Sequence, residues 1–395
     1  MLPSDTWKTA DELVDHWTGA HKLWLKIDFD AVENVACALR VPRVPCTANR
    51  QKYAAGAFVI AIELLFDDGQ VWIARVASNH HATMRVTDET LKRRLLCEVA
   101  TLKVVRDRTA IPAPTVFGFS EDKANPIGLP YIMMSAIVGF KPEDVGIAQM
   151  WSDMPVPPDK QPLVTTYCAS LAAIQVELSR VTFDSIGSLY LDDSGEPVVG
   201  PETVTGIPPC ASPAEYFALY GEYILGDALR SEDAKGNEDR LFGVWLVRLL
   251  LSSVSVSASR GPYRLTHQDL SASNTLVDKA GEIVGVIDWD TAACLPDAMF
   301  AGQALDCSKD MDNDYAERRA WFDAYNSALR ALDPGLARLH ASTSAQLLCS
   351  LNFINDPETY SRPFFYRSFC LHLLGTEDWE SVRRSPVFRE WLSTL

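Results

Sequence analysis

The chain has 395 residues, 47% of them apolar and 22% charged, and a formal net charge of −16. Its length favours two lobes or domains over one small core, and its composition is that of a globular protein rather than a disordered one. The acidic balance repels nucleic acid and anionic membrane, so neither is an expected partner, while cationic or metal-complexed ligands are tolerated.

The opening MLPSDTWKTADELVDHWTGAHK has no apolar core and no small-residue cleavage site, so no secretory signal is read there. The nine cysteines are widely spaced, with no C-x-x-C pair and no zinc-like Cys/His cluster. They read as reduced thiols packed as small apolar groups in a cytoplasmic protein. The most membrane-like run, VWLVRLLLSSVSVSA at 244–258, contains Arg248 and is short for a bilayer span. It reads as a buried core helix.

Along the chain, residues 1–50 read as helical pieces ending in the proline-broken VPRVPC. From Ala57, AFVIAIELLF and QVWIARVA flank Asp67-Asp68-Gly69, the pattern of an antiparallel hairpin. A helix is expected over 87–108, with Thr87 as N-cap and acids in its first turn. Leu91, Leu95 and Leu102 share one stripe of that helix, and Glu98 falls on the same stripe. A carboxylate there either meets a cation, with Arg75 on the preceding strand the first candidate, or sits at the rim and stays wet.

IPAPTVFGF then leads to a strand, and LPYIMMSAIVGF (129–140) is a further apolar strand. The pattern afterwards turns helical, at roughly 161–179, 213–229, 240–259, 314–332 and 341–354. The Pro/Gly-rich segment 184–212 reads as a surface insertion. The expected fold is α+β, a small β-rich lobe followed by a larger, mainly helical one, with the boundary near 135–140. The divisions are a helical extension over 1–50, a first lobe over 51–138 and a second over 139–395.

The densest chemistry lies in LTHQDLSASNTLVDKAGEIVGVIDWD, 265–290. TLVD and IVGVID pair across a turn containing Gly281. Asn274 enters the first arm and Asp288 leaves the second, so the two ends are neighbours in an antiparallel pair. An amide oxygen beside a carboxylate makes a hard-oxygen site for Mg²⁺. Asp269 lies on the loop feeding this hairpin.

His267-Gln-Asp269-Leu-Ser-Ala-Ser-Asn274 has the H-x-D-x-x-x-x-N form of the protein-kinase catalytic loop. Ile287-Asp288-Trp289-Asp290 is similar to the I-D-[FW]-[DE] run of aminoglycoside phosphotransferases and choline-kinase-like enzymes. Residues 55–300 resemble this family, which has a bilobal protein-kinase-like fold. The resemblance implies a Mg²⁺-dependent transfer of the γ-phosphoryl group of ATP, or GTP, to a hydroxyl of a small molecule. It implies that Asp269 orients the acceptor and takes its proton, and that Asn274 and Asp288 hold Mg²⁺. His267 becomes a structural residue under the loop, and Asp290 either supports the metal shell or is solvated.

In the first lobe, the resemblance puts Arg75 at the phosphate-binding lysine, Glu98 at its ion-pair partner and Gly56 in the loop over the phosphates. Ser135 and Ile137 fall in the SAIV hinge that hydrogen-bonds adenine. The sequence departs from the pattern in that loop, which has the single glycine Gly56 and Val59 where an Asn is common. Arg in place of Lys exchanges a point charge for a planar fork. The alternative is a kinase-fold protein that no longer phosphorylates and acts as a binding module or a repurposed catalyst. Protein-kinase activity is disfavoured, because no D-F-G and A-P-E segments frame an activation loop and DWDTAACLPD leads almost at once toward helix. For the acceptor, the acids Asp306, Asp310, Asp312 and Asp314 either attract a cationic amine or form a solvated loop. The aromatics of YSRPFFYRSF (360–369) either wall an apolar pocket or pack between helices.

Overall fold

The computed structural model describes residues 2–13, 18–79, 86–147, 158–230, 238–257, 261–305, 316–349 and 363–395. In chain order it begins with helices α1 (Ala10–Leu13), α2 (Thr18–Trp24) and α3 (Phe29–Leu39), and strands β1 (Cys46–Ala48), β2 (Ala54–Ala55), β3 (Val59–Phe66) and β4 (Val71–Ala77). Helix α4 (Asp88–Arg108) and strands β5 (Val116–Ser120) and β6 (Tyr131–Ser135) follow. Next come α5 (Gln161–Leu178), β7 (Thr182–Phe183), β8 (Gly187–Leu191), β9 (Pro197–Gly200), α6 (Pro213–Arg230) and α7 (Glu238–Ser257). Strands β10 (Tyr263–Thr266), β11 (Thr275–Val277), β12 (Ile283–Val286) and β13 (Ala293–Leu295) lead to α8 (Asp297–Ala301). The chain closes with α9 (Ala316–Leu332), α10 (Pro334–His340), α11 (Thr343–Cys349), α12 (Pro363–Leu374), α13 (Trp379–Arg383) and α14 (Pro386–Ser393).

The chain forms two compact units. The first joins Met1–Val145 to Leu189–Val198 and Ser273–Ala292; the second holds Gly146–Ser188, Val199–Ala272 and Ala293–Leu395.

In the first unit an antiparallel sheet runs β1-β3-β4-β6-β5, with β2 added to β3. The expected hairpin is β3–β4, in register from Val59↔Ala77 to Leu65↔Val71. Its turn needs Gly69, which sits at φ +83° where a side chain is disfavoured. Alternation along the strands sends Ile60, Ile62, Leu64, Trp72, Ala74 and Val76 into one core with Trp24, Ile27, Val32 and Ala36 of the N-terminal segment. Trp24 stacks on Tyr53 there, ring centroids 4.5 Å apart. Buried Glu63 accepts from the Ser4 N–H at 2.8 Å and the Ser4 hydroxyl at 2.6 Å, so the N-terminal segment also satisfies a carboxylate of the sheet.

Helix α4 matches its expected span. The Thr87 hydroxyl accepts from the Thr90 N–H, Asp88 and Glu89 occupy the first turn, and Arg106 and Arg108 the last, as the helix dipole favours. The β11–β12 hairpin belongs to this unit, with Thr275 opposite Val286 and a register shift after Leu276. The segment after β6 reaches it through reciprocal Phe140–Val277 backbone bonds, each 2.8 Å. Gly139 allows that approach, since a Cβ there would lie 2.9 Å from Leu276 Cβ and from Val284 Cγ2.

The second unit is mainly helical, with β10 paired to β7 and β13, and β13 to Gly187 and Ser188 of β8. One expectation is corrected here. Segment 184–212 is not a surface insertion: it supplies β8 and β9, and buried Ile186 and Cys210 exchange backbone bonds of 2.8 and 3.0 Å. After Asp290 the chain passes through the three-residue β13 and enters α8 at Asp297, as expected. Strands this short carry too few apolar positions to show a period.

The helix expected at 240–259 is α7, and no helix among the described residues is long and apolar enough to cross a membrane. The described cysteines are free thiols, all buried. Of the aromatic run, Phe365, Tyr366 and Phe369 are buried in α12, with Phe365 stacked on Phe369 at 4.2 Å and Tyr366 edge-on to Phe242. They pack as core. The acidic run 306–315 and Tyr360 lie outside the described residues.

Candidate active site

Hairpin register fixes the first part of the site. The Ile287 N–H donates to the Asn274 carbonyl at 3.0 Å, which puts Asn274 across from the residue before Asp288. Asn274 is buried. Asp288 adopts φ +67°, a left-handed conformation that a non-glycine residue holds only when its surroundings impose it. On one side stands the hairpin. On the other, Trp289 is fully buried with its indole N–H on the Val286 carbonyl at 3.0 Å, and the Ala292 carbonyl lies 3.2 Å from the Cys97 thiol of α4.

Arg75 on β4 joins three elements. Its Nη1 donates to Glu98 Oε1 of α4 at 2.7 Å and its Nη2 to Asp288 Oδ1 at 2.7 Å. Glu98 is 3% exposed, so the carboxylate on the apolar stripe is buried and meets its cation. Burial works against the Arg75 charge, but Glu98, Asp288 and Asp290 together more than offset it and hold the guanidinium protonated. Burial pushes the Glu98 carboxyl above its ordinary range, against the pull of Arg75. The third donor, Arg75 Nε, is buried with no acceptor among the described residues.

One helical turn before Glu98, Arg94 makes a second pair. Its Nε and Nη2 donate to Asp290 Oδ2 and Oδ1 at 2.9 and 3.0 Å, a two-bond fork. Its guanidinium carbon lies 5.0 Å from the centroid of the Phe58 ring. Asp290 is 6% exposed, so it is neither solvated nor open; burial raises its pKa and Arg94 opposes that shift. Phe58, Val59, Arg75, Ala77, Leu91, Arg94, Leu95, Glu98, Ile132 and Asp290 line a small cavity of about 20 Å³. Sequence reasoning missed Arg94. The available signal was its i, i+4 spacing from Glu98, matched by the two-residue spacing of Asp288 and Asp290.

Gly56 is exposed in the turn between β2 and β3, where its N–H donates to the Val59 carbonyl at 2.9 Å. Ser135 closes β6, with its N–H on the Thr115 carbonyl at 2.8 Å and its hydroxyl accepting from the Thr115 N–H at 2.9 Å. Ile137 follows half-buried, its side chain against Gly285.

His267 and Asp269 belong to the second unit. His267 is fully buried, donates its N–H to Gln303 Oε1 at 2.9 Å and accepts the Asp269 N–H on Nδ1 at 3.2 Å. Gln268 between them takes φ +68°, and Asp269 is exposed. The loop is thus anchored by the histidine and presents the aspartate.

The donor set fits a hard divalent cation. Mg²⁺ binds through one or two carboxylate or amide oxygens, with water and phosphate completing its shell. Asn274 and Asp288 are such a pair, and an unpartnered Arg75 Nε suits a phosphate oxygen.

A β-rich unit and a mainly helical unit make up an α+β fold of the protein-kinase-like class. The chain belongs to the phosphotransferase enzyme family (APH), whose model matches residues 67–341. No curated protein matches the sequence. Among solved structures it is similar to APH(2")-IIia in its GDP and kanamycin complex, at 14% identity over 87% of this chain and 92% of that one, TM-score 0.45. It is also similar to the macrolide 2'-phosphotransferase MphH from Brachybacterium faecium, at 15% identity over 90% and 96% of the two chains, TM-score 0.44. A third is the amicoumacin kinase hAmiN in complex with AMP-PNP, Ca²⁺ and Ami, at 12% identity over 85% and 91%, TM-score 0.47.

Proposed function

We propose that the protein transfers the γ-phosphoryl group of ATP or GTP to a hydroxyl of a small molecule in the cytoplasm. The observation that carries this reading is Arg75, held by Glu98 and Asp288 at 2.7 Å each, with no acceptor for its Nε among the described residues. Phosphoryl transfer asks a protein mainly for position and for cations on phosphate oxygens. Arg75 binds phosphate, and Glu98 keeps it extended and charged. Asn274 and Asp288 hold Mg²⁺, which when bound neutralises charge on the phosphates. Asp269 orients the acceptor hydroxyl and accepts its proton, with His267 fixing the loop. Gly56 borders the phosphates, and the backbone at Ser135 and Ile137 borders the base; the Ser135 N–H is already engaged by Thr115, which leaves the adenine bond to Ile137.

The test is Asp269→Ala. Loss of a general base lowers turnover by about 10²- to 10⁴-fold. Nucleotide binding should survive, because Asp269 touches neither Arg75 nor Asp288 in this scheme. Turnover at the wild-type rate in Asp269→Ala removes the assigned role. A second reading, a family member that binds a ligand without phosphorylating it, is favoured by the turn at Gly56, which has a single glycine and a buried Phe58 next to it. It is adopted if neither Mg·ATP nor Mg·GTP raises the melting temperature, since a ligand of the native state must do so by mass action.

A further inference from the structure

We propose that Arg94 is a positioning residue for Asp288, acting through Asp290 and through the Phe58 turn. The proposal rests on the phosphotransferase reading for its purpose, though not for its geometry.

A left-handed aspartate is held in that conformation by its surroundings, which puts the weight on its two flanks. The hairpin holds the flank before Asp288, through the Ile287–Asn274 bond of 3.0 Å. Two residues after it, Asp290 is clasped by both the Nε and the Nη2 of Arg94. A planar fork fixes direction as well as distance, which a single ammonium cannot do. Arg94 and Glu98 stand one turn apart on α4, so one helix face grips Asp290 directly and Asp288 by way of Arg75. Rotation or withdrawal of α4 would release both acids together.

The same guanidinium carries the Phe58 ring, 6% exposed, next to the turn that holds Gly56. In a loop with one glycine, the ring–cation contact anchors the turn against α4. Arg94 thereby ties the turn beside the phosphates, the helix and the acid that holds the metal into one assembly. Partners that orient a metal ligand without touching the metal commonly change affinity by about 10- to 100-fold when removed.

The experiment uses the full chain as wild type, Arg94→Met, Arg94→Lys and the exchange Arg94→Asp/Asp290→Arg. Far-UV circular dichroism and melting temperature establish that each variant is folded. Amide hydrogen exchange without any ligand is read at Ile287 and Ala292, and Mn²⁺ binding in the presence of nucleotide is read by electron paramagnetic resonance. Arg94→Met should speed exchange at both amides and weaken Mn²⁺ by about 10- to 100-fold. Arg94→Lys should recover only part of each effect, and the exchange variant more of it. Unchanged hydrogen exchange in a folded Arg94→Met protein overturns the proposal, as does wild-type Mn²⁺ affinity in that variant where Asp288→Asn loses it. Failure of the wild type itself to bind nucleotide and Mn²⁺ overturns the phosphotransferase reading instead, and the ligand-free exchange data still decide the role of Arg94.

Discussion

Arg75 and Asp288, 213 residues apart, form an ion pair with Nη2 2.7 Å from Oδ1, while the other arm of the same guanidinium holds Glu98. Glu98 is buried while Asp288 is partly exposed, so it is chiefly Glu98 that loss of Arg75 leaves without its cation, at a cost of about 3–5 kcal/mol. Arg75→Met should therefore destabilise the protein by that order, read as a lower urea midpoint with an unchanged slope. Arg75→Lys should lose less, because it keeps the charge and gives up the two-sided fork. Equal stability in Arg75→Met would mean that Glu98 is not buried as a charge.

The N-terminal segment is expected to be integral to the first unit. Trp24 is buried against Tyr53, and Ser4 supplies two hydrogen bonds to Glu63. Trp24→Ala should cost about 3–5 kcal/mol by cavity formation. Ser4→Ala removes one bond to a buried carboxylate and should cost about 1–3 kcal/mol. Denaturant titration of both variants checks these values.

Gly139 should tolerate no side chain. A Cβ would meet Leu276 Cβ and Val284 Cγ2 at 2.9 Å and push the β11–β12 hairpin away. Gly139→Ala is expected to cost about 1–3 kcal/mol by overpacking and to weaken Mg·nucleotide binding, measured by calorimetry.

Much of this was legible in the sequence where the signal was local. The Thr87 cap, the stripe carrying Glu98 and the turn at Gly281 each read within a dozen residues, and the elements stand where the pattern put them. The Arg75–Glu98 pair was legible as one of two alternatives, since a charge on an apolar stripe either meets a cation or stays wet at the rim. The partner of Asp290 was harder to read, because Arg94 lies 196 residues earlier and only its i, i+4 spacing from Glu98 marked it. The short strands β1, β8, β9 and β13 were missed for a related reason. They have few residues each, and pairing with other strands, rather than their own pattern, makes them strands.

Acid should destabilise the second unit through His340. The ring is fully buried, stacked on Phe322 at 5.2 Å, and neither nitrogen has a partner among the described residues. Burial lowers its pKa from 6.5 to about 4. A depressed folded-state value means the neutral ring is favoured by folding, so its stabilisation is complete above pH 6.5 and is lost as pH falls toward 4, by roughly 3 kcal/mol in total. His340→Phe should flatten that part of the melting-temperature profile. A profile identical to wild type between pH 6.5 and 4 would show that His340 is not the group responsible.

The most direct test of the nucleotide-and-metal site is calorimetric titration of the full chain with ATP and with GTP, with and without Mg²⁺, in wild type and Asp288→Asn. The expected result is Mg²⁺-dependent binding of at least one nucleotide by the wild type, with the Mg²⁺ dependence lost in Asp288→Asn. Absence of binding to either nucleotide, or binding with the same Mg²⁺ dependence in both proteins, would contradict it.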